Sequence, residues 1–212
     1  MKRHAWSAAA LILPLAACRP DPGAPSYPER TPWERATSDG FLRTPLEDGE
    51  TRLGIGVFYE GETTDAVPID DTTTHFYVYE SSFYVEADDD RVEGYASDAL
   101  VLRGKPWWGG GVHWDTPRDL SAYDTLHVAL RTEALGSWDL GMSAGREARV
   151  DVADYGLEAD GAWHTLQIPL SAFAAAGADL RQVTIPLLLV GEGGDEGDAV
   201  WIDDLYLQGV AP

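Results

Sequence analysis

The sequence is poor in cysteine, methionine and basic residues. Its 212 residues include one cysteine, two methionines and 15 lysines and arginines, against 36 aspartates and glutamates. A single cysteine excludes an internal disulfide. The formal charge of −21 argues against binding of nucleic acid or anionic lipid headgroups, because both would be repelled. The composition suits a protein that holds cations or binds neutral ligands.

The N-terminal part contains no apolar run long enough to cross a bilayer. The run from Ala5 to Ala17 falls short of the roughly 20 residues that a membrane-spanning helix needs. It follows a basic start, Lys2 and Arg3, and ends in small residues. This pattern predicts a secretory signal peptide over residues 1–17.

The signal ends in Leu15-Ala16-Ala17-Cys18, which resembles the lipobox of bacterial lipoproteins. In that family the cysteine is diacylated and becomes the mature N-terminus. Two acyl chains are what stable anchoring requires. The resemblance implies a cell-envelope protein attached to the membrane through its lipid anchor only, at the outer membrane in a diderm source. The alternative is an ordinary signal peptide with an accidental cysteine.

Residues 18–51 are rich in proline, glycine and charge and show no apolar periodicity, which predicts an extended tether. Residues 52–212 carry short β-rich runs separated by turn residues, and they form the predicted folded head. The predicted strands are Leu53–Tyr59, His75–Val85, Tyr95–Leu102, Val112–Trp114, Leu126–Thr132, Trp138–Ser143, Ala148–Ala153, Trp163–Ile168, Gln182–Val190 and Ala199–Leu207.

Alternation within these runs defines the fold class. Leu126, Val128 and Leu130 share one strand face, and one or two helical turns are expected in a segment that ends at Gly177. About ten short strands with almost no helical periodicity predict an all-β fold, a two-sheet antiparallel β-sandwich of the jelly-roll type.

Three stretches resemble the galactose-binding-like β-sandwich of many bacterial carbohydrate-binding modules. They are Arg91–Gly111, with Trp107-Trp108-Gly-Gly-Gly111; Asp119–Leu126; and Gly161–Leu207, with Trp201-Ile-Asp203-Asp204. The resemblance implies a jelly roll, often with a structural calcium, that binds glycans without catalysis. Trp163 and Trp201 lie within these framework motifs and are expected in the core.

A calcium site is expected where the first and last strands of the sandwich meet. The resemblance implies Asp203 as a ligand, together with an acidic residue near the first strand, here Asp70 or Asp71. Oxygen ligands in an acidic protein favour Ca²⁺. The alternative is that these are solvated turn aspartates without a metal.

Strand-borne aromatic residues are the candidates for sugar binding, because the C–H face of a sugar packs on an aromatic plane while its hydroxyls need polar neighbours. The chosen candidates are Trp107 and Trp108 first, then Trp114 and Trp138. Further aromatic residues of this kind are Tyr77, Tyr79 and Tyr155, and nearby charged residues are Asp115, Arg131, Arg149 and Asp151. Successive strand residues face opposite ways, so at most one of Trp107 and Trp108 is expected to be buried.

No catalytic motif is present. The sequence lacks Gly-x-Ser-x-Gly, His-Glu-x-x-His and a phosphate-binding loop, so the protein is predicted not to be an enzyme. The first functional hypothesis is a surface or periplasmic lipoprotein that binds a polysaccharide, neutral or cationic in preference to anionic. The second is a structural or assembly subunit of an envelope complex. A contiguous exposed aromatic groove favours the first, and a flat apolar or charged patch favours the second.

Overall fold

The computed structural model describes residues 50–55, 66–68, 74–92 and 97–210, which contain twelve strands. The strands are β1 (Glu50–Gly54), β2 (Ala66–Pro68), β3 (Thr74–Val78), β4 (Phe83–Asp88), β5 (Ser97–Arg103), β6 (Trp107–Trp114), β7 (Thr125–Thr132), β8 (Asp139–Ser143), β9 (Glu147–Asp151), β10 (His164–Pro169), β11 (Ile185–Glu192) and β12 (Glu196–Val210). Because β1 begins at Glu50, the first strand starts two residues before the predicted head boundary.

The strands form two antiparallel sheets. The first sheet has the order β10-β7-β12-β5-β4, and β1 pairs with the C-terminal half of β12. The second sheet has the order β2-β3-β6-β11-β8-β9. From β5 to β12 the chain crosses repeatedly between the two sheets, as in a jelly roll. The predicted two-sheet antiparallel β-sandwich is therefore confirmed.

Alternation along the strands places the core between the sheets. Leu126, Val128 and Leu130 of β7 are fully buried on the inner face of the first sheet, as their spacing predicts. On the second sheet, Trp108 and Val112 of β6 face inward in the same way. Residues of the opposite parity on each strand form the two outer faces of the sandwich.

The predicted strand His75–Val85 is wrong, because it is two strands on different sheets. A tight turn at Tyr79–Ser81 separates β3 from β4, with Glu80 at φ 53° and Ser81 at φ 50°. Neither residue is the glycine or asparagine that usually marks left-handed backbone, so the sequence did not reveal the turn. The turn leaves Tyr79 at the end of β3, beside β6.

The predicted helical turns are confirmed as helix α1 (Leu170–Ala175), which ends before Gly177 at φ 112°. Leu170 and Phe173 are buried and cover one end of the core. In the part of the chain that the structure describes, no helix has the length and apolar character needed to span a membrane.

Candidate functional site

The outer face of the second sheet carries the candidate site. Residues that are paired across the sheet point to the same side, so the register identifies the face. Tyr77 of β3 pairs with Gly111 of β6, which pairs with Leu188 of β11, and Leu188 pairs with Gly141 of β8. Gly141 pairs in turn with a residue of β9, and this row runs across five strands.

Glycines make the centre of this face shallow. A Cβ atom at Gly109 would lie 2.9 Å from Cζ2 of Trp107, and one at Gly111 would lie 3.0 Å from Oη of Tyr79. The Trp107 indole and the Tyr79 phenol therefore lie directly over strand β6. A side chain at either glycine would clash with these atoms, so the glycines leave room for the edge of the Trp107 indole and for the Tyr79 hydroxyl.

Three aromatic side chains form what we call the aromatic platform: Tyr77, Tyr79 and Trp107. The rings of Tyr79 and Trp107 are nearly parallel, at 13°, with centroids 6.3 Å apart. Tyr77 is 36% exposed and meets His113 edge to face, with centroids 4.9 Å apart. The platform thus combines rings that share one orientation with an exposed ring beside them.

A hydrogen bond fixes Tyr79 on the platform. Its Oη lies 2.6 Å from Nε2 of His113. Burial raises the pKa of Tyr79 to about 12, with a smaller contribution from the negative charge of Glu147. Burial also lowers the pKa of His113, and the neighbouring His75 lowers it further. At neutral pH the phenol therefore keeps its proton and the imidazole is neutral, so the hydrogen bond between them joins two uncharged groups.

The turn before β4 supports the same group. Ser82 is completely buried, and its hydroxyl donates to the carbonyl of Gly109 at 3.2 Å and accepts from its N–H at 3.0 Å. These bonds tie the turn that carries Tyr79 to the strand residue under the Trp107 ring. The strained backbone of Glu80 and Ser81 is held in place by this attachment.

Polar and charged side chains surround a cavity of about 240 Å³ at one end of the platform. We call it the Trp107 cavity. Its lining includes Trp107, Trp138, Asp139, Arg149, Val190 and Glu192. The guanidinium of Arg149 is ion-paired with Glu147. At the other end of the platform, His75 lies 3.4 Å from Asp115.

Of the four tryptophans chosen from the sequence, the structure places only Trp107 on the outer face. Trp108, Trp114 and Trp138 are 1%, 5% and 4% exposed, so the expectation that they present a ring to a sugar is wrong. Trp108 and Trp114 have the inward parity of β6, and Trp138 packs on Trp108 at 5.4 Å. The expectation that only one of Trp107 and Trp108 is buried agrees with this arrangement.

The candidates selected from the sequence do not include His113, and they place Tyr77 and Tyr79 after the four tryptophans as further strand-borne aromatic residues. The signal was present in their spacing, because His75, Tyr77 and Tyr79 alternate along one strand face. Of the charged neighbours, Arg149 and Asp151 lie on this face, whereas Arg131 lies on the first sheet.

The structure leaves the calcium prediction open. Asp203 is buried and accepts the N–H of Val92 at 2.7 Å and that of Asp204 at 2.8 Å. Asp70 and Asp71 lie outside the described residues. Within residues 50–55, 66–68, 74–92 and 97–210, no three His, Cys, Asp or Glu side chains are grouped so that they could hold a metal ion. These two hydrogen bonds from backbone N–H groups already stabilise the Asp203 carboxylate without a cation.

A β-sandwich with aromatic rings on an outer sheet face has the architecture that the resemblance to carbohydrate-binding modules implies. The profile of the family Carbohydrate binding domain 30 (CBM30) matches residues 50–209, and the chain belongs to this family. It is a family of binding modules, not of catalytic domains. No curated protein sequence matches the chain.

Solved structures of such modules have the same fold. One is the family 30 module of the cellulosomal cellulase Cel9D-Cel44B of Clostridium thermocellum, with 14% identity and a TM-score of 0.53 over 76% of this chain and 97% of that one. Another family 30 module has 15% identity and a TM-score of 0.51, covering 77% and 88% of the two chains. The family 11 module of the cellulosomal cellulase Lic26A-Cel5E of the same organism has 13% identity and a TM-score of 0.50, covering 67% and 91%. At these identities the likeness establishes the fold alone.

Proposed function

We propose that this protein binds a polysaccharide non-catalytically on the outer face of the second sheet. The aromatic platform is the observation that carries the proposal. The rings of Tyr79 and Trp107 are nearly parallel and lie beside the glycines of β6, and the C–H face of a sugar can pack against such rings. The outer face carries three aromatic side chains, of which Tyr77 is exposed and Tyr79 and Trp107 are half-buried. This surface favours glycan binding over the alternative of an assembly subunit, which calls for a flat apolar or charged patch.

Polar groups at both ends of the platform suit sugar hydroxyls, which both donate and accept hydrogen bonds. Asp139 and Glu192 supply acceptors and Arg149 supplies donors at the Trp107 cavity. His75 and Asp115 provide polar groups at the opposite end. A polysaccharide chain that crosses the platform would therefore make apolar contacts in the middle and hydrogen bonds at either end.

The formal charge of −21 disfavours anionic polysaccharides, so the proposed ligand is neutral or cationic. The solved family 30 module belongs to a cellulase, which makes neutral β-glucans the first ligands to test. A shallow face buries little of a flexible chain. We expect a Kd between about 1 mM and 1 μM, or roughly −4 to −8 kcal/mol.

The test is a glycan array followed by affinity electrophoresis of the full-length protein. Trp107→Ala should weaken binding at least tenfold, about 1.4 kcal/mol, because it removes the ring that the platform shares with the Trp107 cavity. Tyr84→Ala is the matched control, since Tyr84 is a half-exposed aromatic residue on β4 of the first sheet. Absence of glycan binding by the folded wild-type protein, or equal losses in both variants, would reject the proposed site.

We also propose that the protein is a cell-envelope lipoprotein anchored through Cys18. The supporting observation is the Leu15-Ala-Ala-Cys18 pattern after a basic N-terminus. Cys18→Ser should abolish metabolic labelling with palmitate and release the protein from the membrane fraction, because it removes the acylated thiol. Unchanged membrane fractionation of the Ser variant would contradict the anchor.

A structural Ca²⁺ held by Asp203 with Asp70 or Asp71 remains part of the proposal. The acidic composition and the family resemblance support it. A cation that binds only the folded state adds about 2.7 kcal/mol at a hundredfold excess over its Kd. The midpoint of thermal unfolding should therefore be higher in millimolar calcium than in EDTA at matched ionic strength. Identical midpoints would remove the site.

A further inference from the structure

The Trp107 cavity differs chemically from the rest of the aromatic platform because it is negatively charged. Glu192 is paired directly opposite Trp107, and Asp139 is paired with Val190, two residues before Glu192 on β11. The two acidic residues are therefore diagonal neighbours, a relation that separates Cα atoms by about 7–8 Å. They flank one volume beside the Trp107 ring.

The two carboxylates of the cavity are not paired with a protein cation in the part of the chain that the structure describes. The side chains of Asp139 and Glu192 have neither a hydrogen-bond nor an ion-pair partner there. The guanidinium of Arg149, which also lines the cavity, is paired with Glu147. The lining therefore carries two carboxylates and one guanidinium, and it keeps a net formal charge of about −1. A cation bound there would gain two charge-assisted contacts.

The walls of the cavity indicate that its ligand is a sugar unit and not a bare ion. Trp107 offers an aromatic ring and Val190 an apolar side chain. Trp138 is almost completely buried in the cavity wall, and its indole N–H has no acceptor among the residues that the structure describes. An aromatic ring and an apolar floor suit the carbon ring of a sugar, and the carboxylates beside them suit its polar substituents.

We propose that the Trp107 cavity binds a sugar unit carrying a protonated amine, so that the protein prefers amino-sugar polymers of the glucosamine type over isosteric neutral glucans. This inference rests on the proposed glycan-binding function and names the ligand class within it. The sugar ring packs on Trp107, and its ammonium group lies between Asp139 and Glu192. The Trp107 ring adds a cation–π attraction to the same group.

The size of the preference follows from the difference between hydroxyl and ammonium donors. A hydroxyl also hydrogen-bonds a carboxylate, but an ammonium donor adds the direct attraction between opposite charges, which we expect to correspond to roughly tenfold in affinity. The preference should decline as salt is raised from about 0.15 M to about 1 M, because added ions screen exposed charges.

The experiment compares three oligosaccharides of equal length and linkage, built from glucose, glucosamine or N-acetylglucosamine. Binding to the full-length protein is measured by calorimetry at about pH 6, where the amine is protonated and the carboxylates are ionised. The glucose oligomer has a substituent of nearly the same size as the amine but without its charge, so it separates charge from shape. N-acetylglucosamine keeps the nitrogen, removes its charge and adds an acetyl group.

The decisive variant is Asp139→Asn with Glu192→Gln, which keeps shape and removes both charges. Its matched control is Glu86→Gln with Glu196→Gln, which removes two exposed charges from the first sheet. We expect the wild-type protein and the control to bind the glucosamine oligomer about tenfold more tightly than the other two. The cavity variant should bind all three alike. Glu192→Gln alone, at an exposed position, repeats the test if the double variant folds poorly.

The outcomes separate this inference from the proposed function. If the wild-type protein binds all three oligomers equally, or if the control loses the preference as fully as the cavity variant, the cavity is not an amino-sugar site, although glycan binding stands. If the folded wild-type protein binds none of the three, the proposed function fails and the inference fails with it.

Discussion

The two outer faces of the sandwich both carry tryptophans but hold them differently. On the first sheet, Trp201 donates its indole N–H to Asp88 at 2.8 Å, and Trp163 donates to Asp90 at 3.2 Å. Arg131 is ion-paired with Asp90 and lies 4.3 Å above the Trp201 ring. These contacts join β7, β12 and the segment after β4 into one network.

On the second sheet, no such network covers the aromatic platform within the described residues. Tyr77 is one of the two large apolar side chains that are exposed among the described residues, and Trp107 lies beside Gly109 with its ring nearly parallel to that of Tyr79. The difference teaches that tryptophan content alone does not mark a binding face. Trp201, whose indole N–H and ring face are both occupied by protein groups, serves the fold, whereas Trp107 lines an open cavity and is available to a ligand.

The largest expected effect is a difference in stability between substitutions of two adjacent residues of β6, Trp107 and Trp108. Trp108→Ala should lower the free energy of unfolding by about 3–5 kcal/mol, because it opens a cavity in the core beside Phe83 and Trp138. Trp107→Ala should leave stability nearly unchanged and weaken glycan binding. Urea unfolding and affinity electrophoresis of the same two variants measure both quantities. Equal destabilisation by the two substitutions would contradict the assignment of faces.

The comparison also shows how far the sequence could lead. Alternation and the framework motifs identified the β-sandwich, the separation of Trp107 from Trp108, and the helix before Gly177. The same motifs led to the wrong expectation that Trp163 and Trp201 are core residues, whereas both are partly exposed on the outer face of the first sheet. Alternation defines two faces of a strand but does not tell which one meets the other sheet.

The site was predicted less completely than the fold for a physical reason. Its members come from β3, β6, β8, β9 and β11, and only the register across the sheet brings them together. The turn at Glu80 and Ser81 has positive φ without glycine, so the sequence concealed the reversal that places Tyr79 beside Trp107. Local patterns carry neither kind of information.

The next largest effect concerns Ser82, which supports the second face from inside. Ser82→Ala should lower the free energy of unfolding by about 1–3 kcal/mol, because it leaves buried polar groups of Gly109 without their partner. It should also weaken glycan binding, since the turn carrying Tyr79 loses its attachment. Ser171→Ala, at an exposed position of α1, is the control and should change neither quantity. Full stability of Ser82→Ala would show that the attachment is dispensable.

A smaller effect sharpens the contrast between the two faces through their arginines. Arg131→Met should cost about 1–2 kcal/mol of stability, because it removes the stacking on Trp201 and the ion pair with Asp90, and should leave glycan affinity unchanged. Arg149→Met should weaken glycan binding and leave stability nearly unchanged, since the exposed ion pair of Arg149 with Glu147 contributes little to stability. Thermal unfolding and glycan affinity are measured for both. A loss of glycan affinity in Arg131→Met would undermine the division of roles.

The smallest expected effect is a pH dependence that belongs to the second face alone. Burial and the neighbouring His75 hold the pKa of His113 below its usual value of 6.5, so the unfolded chain binds a proton more readily than the folded one. The resulting loss of stability should set in as the pH falls through about 6.5 and should level off once the pH is below the lowered pKa of the folded state.

The groups that face His113 are Tyr77, Tyr79 and His75, with Asp115 beside His75 and Glu147 acting on Tyr79. His113→Gln should flatten the dependence of the unfolding midpoint on pH between about 7.5 and 5.5, a range in which ordinary carboxylates stay ionised. An NMR titration of His113 measures the pKa directly. A value at or above 6.5, or the same pH dependence in both proteins, would show that burial and His75 do not keep the His113 imidazole neutral.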